Sequence, residues 1–243
     1  MLLVVTSGVS GCAANYFPLK NAAYFPQKDQ KTAILMPFDV NMITMLSYYN
    51  TKEILEKKRD AAREYVEGAF KRSFPSADIH MVDYIPFKNV QENELDYHTM
   101  TVMGEIFTEL NSAKYAIKKN LSDEKGINFD YSIGLKANDV RDIAEGSPDW
   151  LIFISVSGVV YNLQALDNTG MNTAAAIMSL GMSKLFPTPD DTIYIEMTVV
   201  DAKTGDIIWL DYVSFYGKSL LKDEDIREAA STIVHGFRTS KQI

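Results

Sequence analysis

The sequence predicts an α/β fold: a mixed-sheet α/β sandwich that ends in an antiparallel hairpin and a closing helix. Three observations predict it. Short apolar runs alternate with longer stretches whose apolar residues recur every three or four positions. The run Trp150-Leu151-Ile152-Phe153-Ile154 is too apolar for a strand with one wet face, which puts it in the centre of a sheet. Two strand-like segments, DTIYIEMTVV and DIIWLDYVSFY, are joined by Asp201-Ala202-Lys203-Thr204-Gly205, where the glycine suits the positive φ of a hairpin turn. That hairpin is antiparallel while crossover helices serve parallel pairs, so the sheet is mixed.

The elements follow in order. Thr32 to Val40 (TAILMPFDV) is a short apolar run closed by Pro37, a first strand. Thr51 to Phe74 places Ile54, Leu55, Tyr65, Val66, Ala69 and Phe70 on one helical face, with Thr51 as N-cap and Pro75 as the stop. ADIHMVDYIPF sets Ile79, Met81 and Ile85 against His80, Val82 and Tyr84, the alternation of a second strand. Leu95 to Ile117 carries Met100, Met103, Phe107, Leu110, Ala113, Tyr115 and Ile117 near helical spacing, and a third helix runs from Leu135 to Glu145. After the central strand, Met171 to Phe186 is a small-residue run that favours helix over strand. Asp223 to Phe237 closes the chain with Ile226, Ala229, Ala230, Ile233, Val234 and Phe237 on one face. The predicted order is β-α-β-α-α-β-α-β-β-α in a single domain over 32–243.

Composition narrows the function classes. With 243 residues and 47% hydrophobic content the chain buries a sizeable core. Its formal charge of -8, with no long Lys/Arg block, gives no attraction for a phosphate backbone, so no nucleic acid partner is expected. One cysteine excludes an intrachain disulfide.

That cysteine closes the opening stretch MLLVVTSGVSGC. The first charge is Lys20, and an apolar run passes into small residues, as at the end of a secretory signal. The order Val9-Ser10-Gly11-Cys12 resembles the bacterial lipobox, a branched aliphatic and two small residues before the cysteine that is lipidated. This reading makes 1–11 a signal-peptide remnant and 12–31 an acylated cysteine with its tether. A buried structural cysteine is the alternative. No other stretch approaches the ~20 apolar residues of a membrane-spanning helix, so lipid at Cys12 is the expected membrane attachment. Ala13, where enterobacterial lipoproteins retained at the inner membrane carry Asp, implies the outer membrane. Within the tether, Tyr16-Phe17-Pro18 and Tyr24-Phe25-Pro26 are unusually aromatic for a spacer, which makes Tyr16, Phe17, Tyr24 and Phe25 candidate interface residues. Met171, Ala175 and Met178 join them, on a small-residue segment suited to close approach.

Residues 128–158, NFDYSIGLKANDVRDIAEGSPDWLIFISVSG, followed by the small-residue segment and IYIEMTVVDAKTGDIIW, resemble a group of Gram-negative envelope lipoproteins. The D-x-x-T-G-x-x-x-W hairpin is similar to those of the curli-export lipoprotein and the lipoprotein activator of penicillin-binding proteins. The resemblance spans Thr32 to Phe237 in order of elements and about 128 to 217 in motif detail. It implies a periplasmic α/β domain that oligomerises or docks on envelope or secretion-system proteins. The motif residues have physical roles of their own. Asp201 and Thr204 are placed to bond turn amides around Gly205, Trp209 to bury its ring on the sheet or beneath a helix, and Asp130, before Tyr131, to cap a helix.

Catalytic constellations fail. His80, His98 and His235 have no second His or Cys at metal-ligand spacing, and neither a nucleophile elbow nor a phosphate-binding loop occurs. Asp149, Asp190, Asp191, Asp201 and Asp206 cluster at strand ends, where solvated turns are their ordinary use and a hydrolase or cation site the alternative. No catalytic residue, metal or cofactor is expected. The expected function is a structural or binding part of an envelope assembly, secretion or export machinery first, with regulation of peptidoglycan synthesis and hydrolysis by strand-end Asp as alternatives.

Overall fold

The computed structural model describes residues 19–20, 31–38, 40–44, 51–82, 92–122, 131–134, 136–143, 147–160 and 191–240. Seven strands form one mixed sheet: β1 (Leu19–Lys20), β2 (Lys31–Leu35), β3 (Val40–Thr44), β4 (Ile79–Val82), β5 (Trp150–Val160), β6 (Thr192–Asp201) and β7 (Ile207–Tyr216). Across the sheet the order is β1-β7-β6-β5-β2-β4, with β3 also on β5. β2 pairs parallel with β4 and β5, and β3 parallel with β5, whereas β6 is antiparallel to both β5 and β7. The C-terminal hairpin is β6–β7, followed by α4 (Asp223–Ser240). The other helices are α1 (Thr51–Ser73), α2 (Glu92–Ser122) and α3 (Lys136–Ile143).

The first expected strand is divided. Leu35 pairs Ile152 and Val40 pairs Val156, so the register gains one residue across Met36 to Asp39. Pro37 has no N–H to give the ladder, which accounts for the break. β3 then resumes with Val40 and Met42 buried and Asn41 and Ile43 exposed, an alternation too short to stand out in the sequence.

Each face of the sheet carries a core. On one, α1 and α4 cover Ile193, Ile195, Met197, Val199, Trp209, Val213 and Phe215, and all six apolar positions expected on the closing helix are buried there. Phe237 packs its ring edge-on to both Trp150 and Trp209, at 5.6 and 5.3 Å. The acidic first turn of α4, Asp223 to Asp225, suits the positive end of the helix dipole. On the other face, α2 and α3 bring Ile106, Leu110, Ala113, Ile117, Ala137 and Val140 to Leu151, Phe153, Val200 and Leu210. Two residues expected on apolar faces are outside: Tyr65 is 39% and Tyr115 71% exposed. In α2, Ile106 and Lys114 take the inward positions instead.

In the segment expected to be a tether, Leu19 and Lys20 pair antiparallel with Leu210 and Trp209 at the sheet edge. The expected helix over 171–186 lies outside the described residues.

Candidate functional site

The two stretches that carry the family resemblance meet. Asp201 Oδ1 accepts hydrogen bonds from the amides of Lys203 and Thr204, both at 2.9 Å, and from the Thr204 hydroxyl at 3.3 Å. Gly205, with φ of 78°, donates to the Asp201 carbonyl, and Thr204 Oγ1 accepts from the Asp206 amide. A side chain at 205 would run into the Gly134 carbonyl, so glycine is required here both by φ and by close approach. Tyr131 to Gly134 lies along this turn: Ile133 donates to the Gly205 carbonyl and Ile207 to that of Tyr131, at 2.8 and 2.9 Å. Tyr131, Asp201, Thr204 and Gly205 thus build one backbone knot. Trp209 stands apart from it, fully buried against α4 on the opposite face, its Nε1 without a hydrogen-bond partner.

Two of the strand-end carboxylates hold structural hydrogen bonds, and Asp190 lies outside the described residues. Asp149 accepts from the Thr32 amide and hydroxyl, at 3.0 and 3.1 Å, tying β2 to the start of β5, and Asp201 holds its own turn. No group of three His, Cys, Asp or Glu suited to a metal occurs among the described residues. Val9 to Cys12, the aromatic pairs at 16–17 and 24–25, Asp130, and Met171, Ala175 and Met178 lie outside the described residues.

Concave surface occurs elsewhere, where α2 crosses the sheet beside the break between β2 and β3. A groove of about 510 Å³ is lined there by Phe38, Asn41, Phe107, Asn111, Ser155 and, at its back, Lys114 with Glu196. Lys114 Nζ lies 2.7 Å from Glu196 Oε1, with each side chain 11% exposed. Paired, the two residues add no net charge to the groove. Asn41, Asn111 and Ser155 are exposed. Phe107 stands edge-on to Phe153 at 5.8 Å. Beyond the groove the same sheet face continues through Ser157, Tyr194 and Tyr212, the two tyrosine rings stacked at 6.2 Å, to a last row of Ile43, Val159, Thr192 and Tyr216. The sequence pattern does not isolate this site, since Lys114 and Glu196 are far apart in the chain; its only trace is polar and tyrosine residues at alternate positions of β6.

Asp211 is buried beneath α4 near Gly236, where burial pushes its carboxyl up to about 6 despite a 2.8 Å hydrogen bond from the Tyr212 amide. It belongs to the packed face. No helix among the described residues is long and apolar enough to cross a membrane.

Among the described residues, fold and site define an α/β domain whose sheet is covered by α1 and α4 on one face and by α2 and α3 over part of the other. No family model and no curated protein matches the chain. Among solved structures, it is similar to the PelC dodecamer of Paraburkholderia phytofirmans, at 9% identity and a TM-score of 0.28 over 94% of this chain and 97% of that one. A point variant of the same dodecamer gives 10% and 0.30, over 91% and 96%. Superpositions this weak carry no argument about assembly or function.

Proposed function

We propose that the chain is a lipoprotein of the Gram-negative outer membrane that faces the periplasm and acts by binding, as a structural component of an envelope assembly, secretion or export machinery first among them. The observation that carries this reading is the order Val9-Ser10-Gly11-Cys12 seven residues before the first strand. Two features support a binding role. The Asp149 and Asp201 carboxylates serve structural hydrogen bonds, and the groove beside α2 joins phenyl walls to exposed amides and a hydroxyl, which suits a polar surface of a partner protein. Copies of the chain itself are candidate partners alongside other envelope proteins.

The test is intact mass and membrane fractionation of the wild type beside Cys12→Ser, followed by pull-down from solubilised membranes and sizing of the complex. The expected result is an acylated, membrane-bound wild type that brings a defined set of envelope proteins, and a soluble variant that does not. A wild type that is unmodified and soluble overturns the proposal.

A further inference from the structure

The direction in which the chain enters the sheet bears on how the domain meets a bilayer. β1 is antiparallel to β7, with Lys20 opposite Trp209 and Leu19 opposite Leu210, so the N-terminal end of β1 points toward the Tyr216 end of β7. Seven residues separate Cys12 from Leu19, which limits their Cα distance to about 25 Å. From Leu210 to Tyr216 along the strand is about 20 Å, so a direct path carries Cys12 just past Tyr216. The opposite end of the hairpin, at Lys203 and Thr204, is about as far from Leu210. A chain that reversed to reach it would spend about four residues on the turn and fall short.

A second observation is independent of the cysteine. The connection 161–190 leaves the sheet after Val160 and returns at Thr192, and both ends lie in the row that holds Tyr216. This stretch contains Ala174-Ala175-Ala176-Ile177-Met178-Ser179-Leu180-Gly181-Met182, which has no charge. The same row exposes two large apolar or amphipathic side chains, Ile43 at 49% and Tyr216 at 55%. Tyrosine at such a position suits the headgroup level of a bilayer, where its ring and hydroxyl meet different environments.

We infer that the end of the sheet formed by Ile43, Val159, Thr192 and Tyr216 is the membrane-facing end of the domain, and that the DAKTG turn points away from the bilayer. The surface it contacts is lipid. The inference rests on the lipoprotein reading above, and it places the open sheet face and its groove between α2 and the membrane surface, so a partner docked there sits close to the bilayer.

The experiment uses the full-length acylated protein in phosphatidylethanolamine/phosphatidylglycerol vesicles that contain a nitroxide-labelled lipid. Because Cys12 is blocked as a thioether, a cysteine introduced elsewhere is the only free thiol and takes a fluorophore cleanly. Tyr216→Cys and Lys203→Cys label exposed positions at opposite ends of the same hairpin, about 30 Å apart. The Tyr216 label is expected to be quenched several-fold more than the Lys203 label, and Ile43→Cys to behave like Tyr216→Cys should that variant fold poorly. Equal quenching at both ends, or stronger quenching at Lys203, in protein whose mass shows the acyl chains overturns the orientation and leaves the anchor standing. A mass without acyl chains removes the anchor and the orientation with it.

Discussion

The two faces of β6 make the comparison from which the rest follows. One reads Ile193, Ile195, Met197, Val199, all fully buried beneath α1 and α4. The other reads Thr192, Tyr194, Glu196, Thr198: the threonines are buried, Tyr194 and Glu196 are partly buried, and Lys114 of α2 packs on Glu196. Strand pairing is the same for both, since β6 is flanked by β5 and β7 along its length. The difference therefore lies in what packs on each face. The closed face is there to stabilise, and its side chains answer to volume and apolarity. The second face, the open one for the groove along it, retains polar groups at a cost in stability, and it is there that the proposed binding role puts the partner.

The comparison breaks most visibly on the closed side. Phe237→Ala empties a ring held between two tryptophans and is expected to cost about 3–5 kcal/mol, read as a lower urea midpoint. A loss below about 1 kcal/mol, far under the usual range for a buried phenylalanine, would mean that α4 does not seal this face. On the open side the corresponding weak point is electrostatic. Glu196→Gln leaves the Lys114 ammonium buried without its counter-charge and is expected to cost about 3 kcal/mol, whereas Lys114→Met with Glu196→Leu recovers most of the loss. If the double variant is no better than the single one, the pair is positioned by solvent in the groove and not by burial.

A pH titration separates the faces again. The Asp211 carboxyl is raised from the ordinary value of 3.8 to about 6 by burial, so the folded state holds its proton more tightly than the unfolded state. Its contribution is therefore fully present below pH 3.8 and is lost as the pH rises through 6. For a shift of this size the change is on the order of 2–3 kcal/mol. Asp211→Asn is expected to remove that slope and to raise stability at pH 7, measured by urea unfolding across pH 4 to 8. An Asn variant that keeps the slope would assign it to another group.

How far the sequence reaches follows the same division. The closing helix was legible because its apolar face is periodic and every member of it is buried, and the turn because Asp201, Thr204 and Gly205 act locally. β3 was not legible, since five residues after a proline carry too few alternations, and the register slip depends on pairing with β5. Nor could spacing reveal that Tyr131 to Gly134 docks on the turn about seventy residues later, or that Lys114 on a helix meets Glu196 on a strand. Side chains in α2 illustrate the limit in miniature. Tyr115 looks like core by type and is 71% exposed, while its neighbour Lys114 looks like surface and is buried, because the packed face Ile106, Leu110, Ala113 and Ile117 turns Lys114 toward Glu196 and Tyr115 away.

The smallest stability effect is the most informative about function. Asn41 and Asn111 border the groove from β3 and α2, both exposed, so truncating either to alanine removes no core contact and changes stability by about 0.5 kcal/mol or less. If the open face is where the partner docks, Asn41→Ala with Asn111→Ala retains folding and acylation but loses the envelope proteins captured by the wild type. Surface substitutions of the same kind on α1, such as Glu64→Ala, leave that capture intact. Should the groove variant capture the same proteins as the wild type, the polar half of β6 is not the docking surface. Binding would then pass to the other exposed parts of the domain, and the cost carried by Glu196 and its neighbours would need a structural explanation of its own.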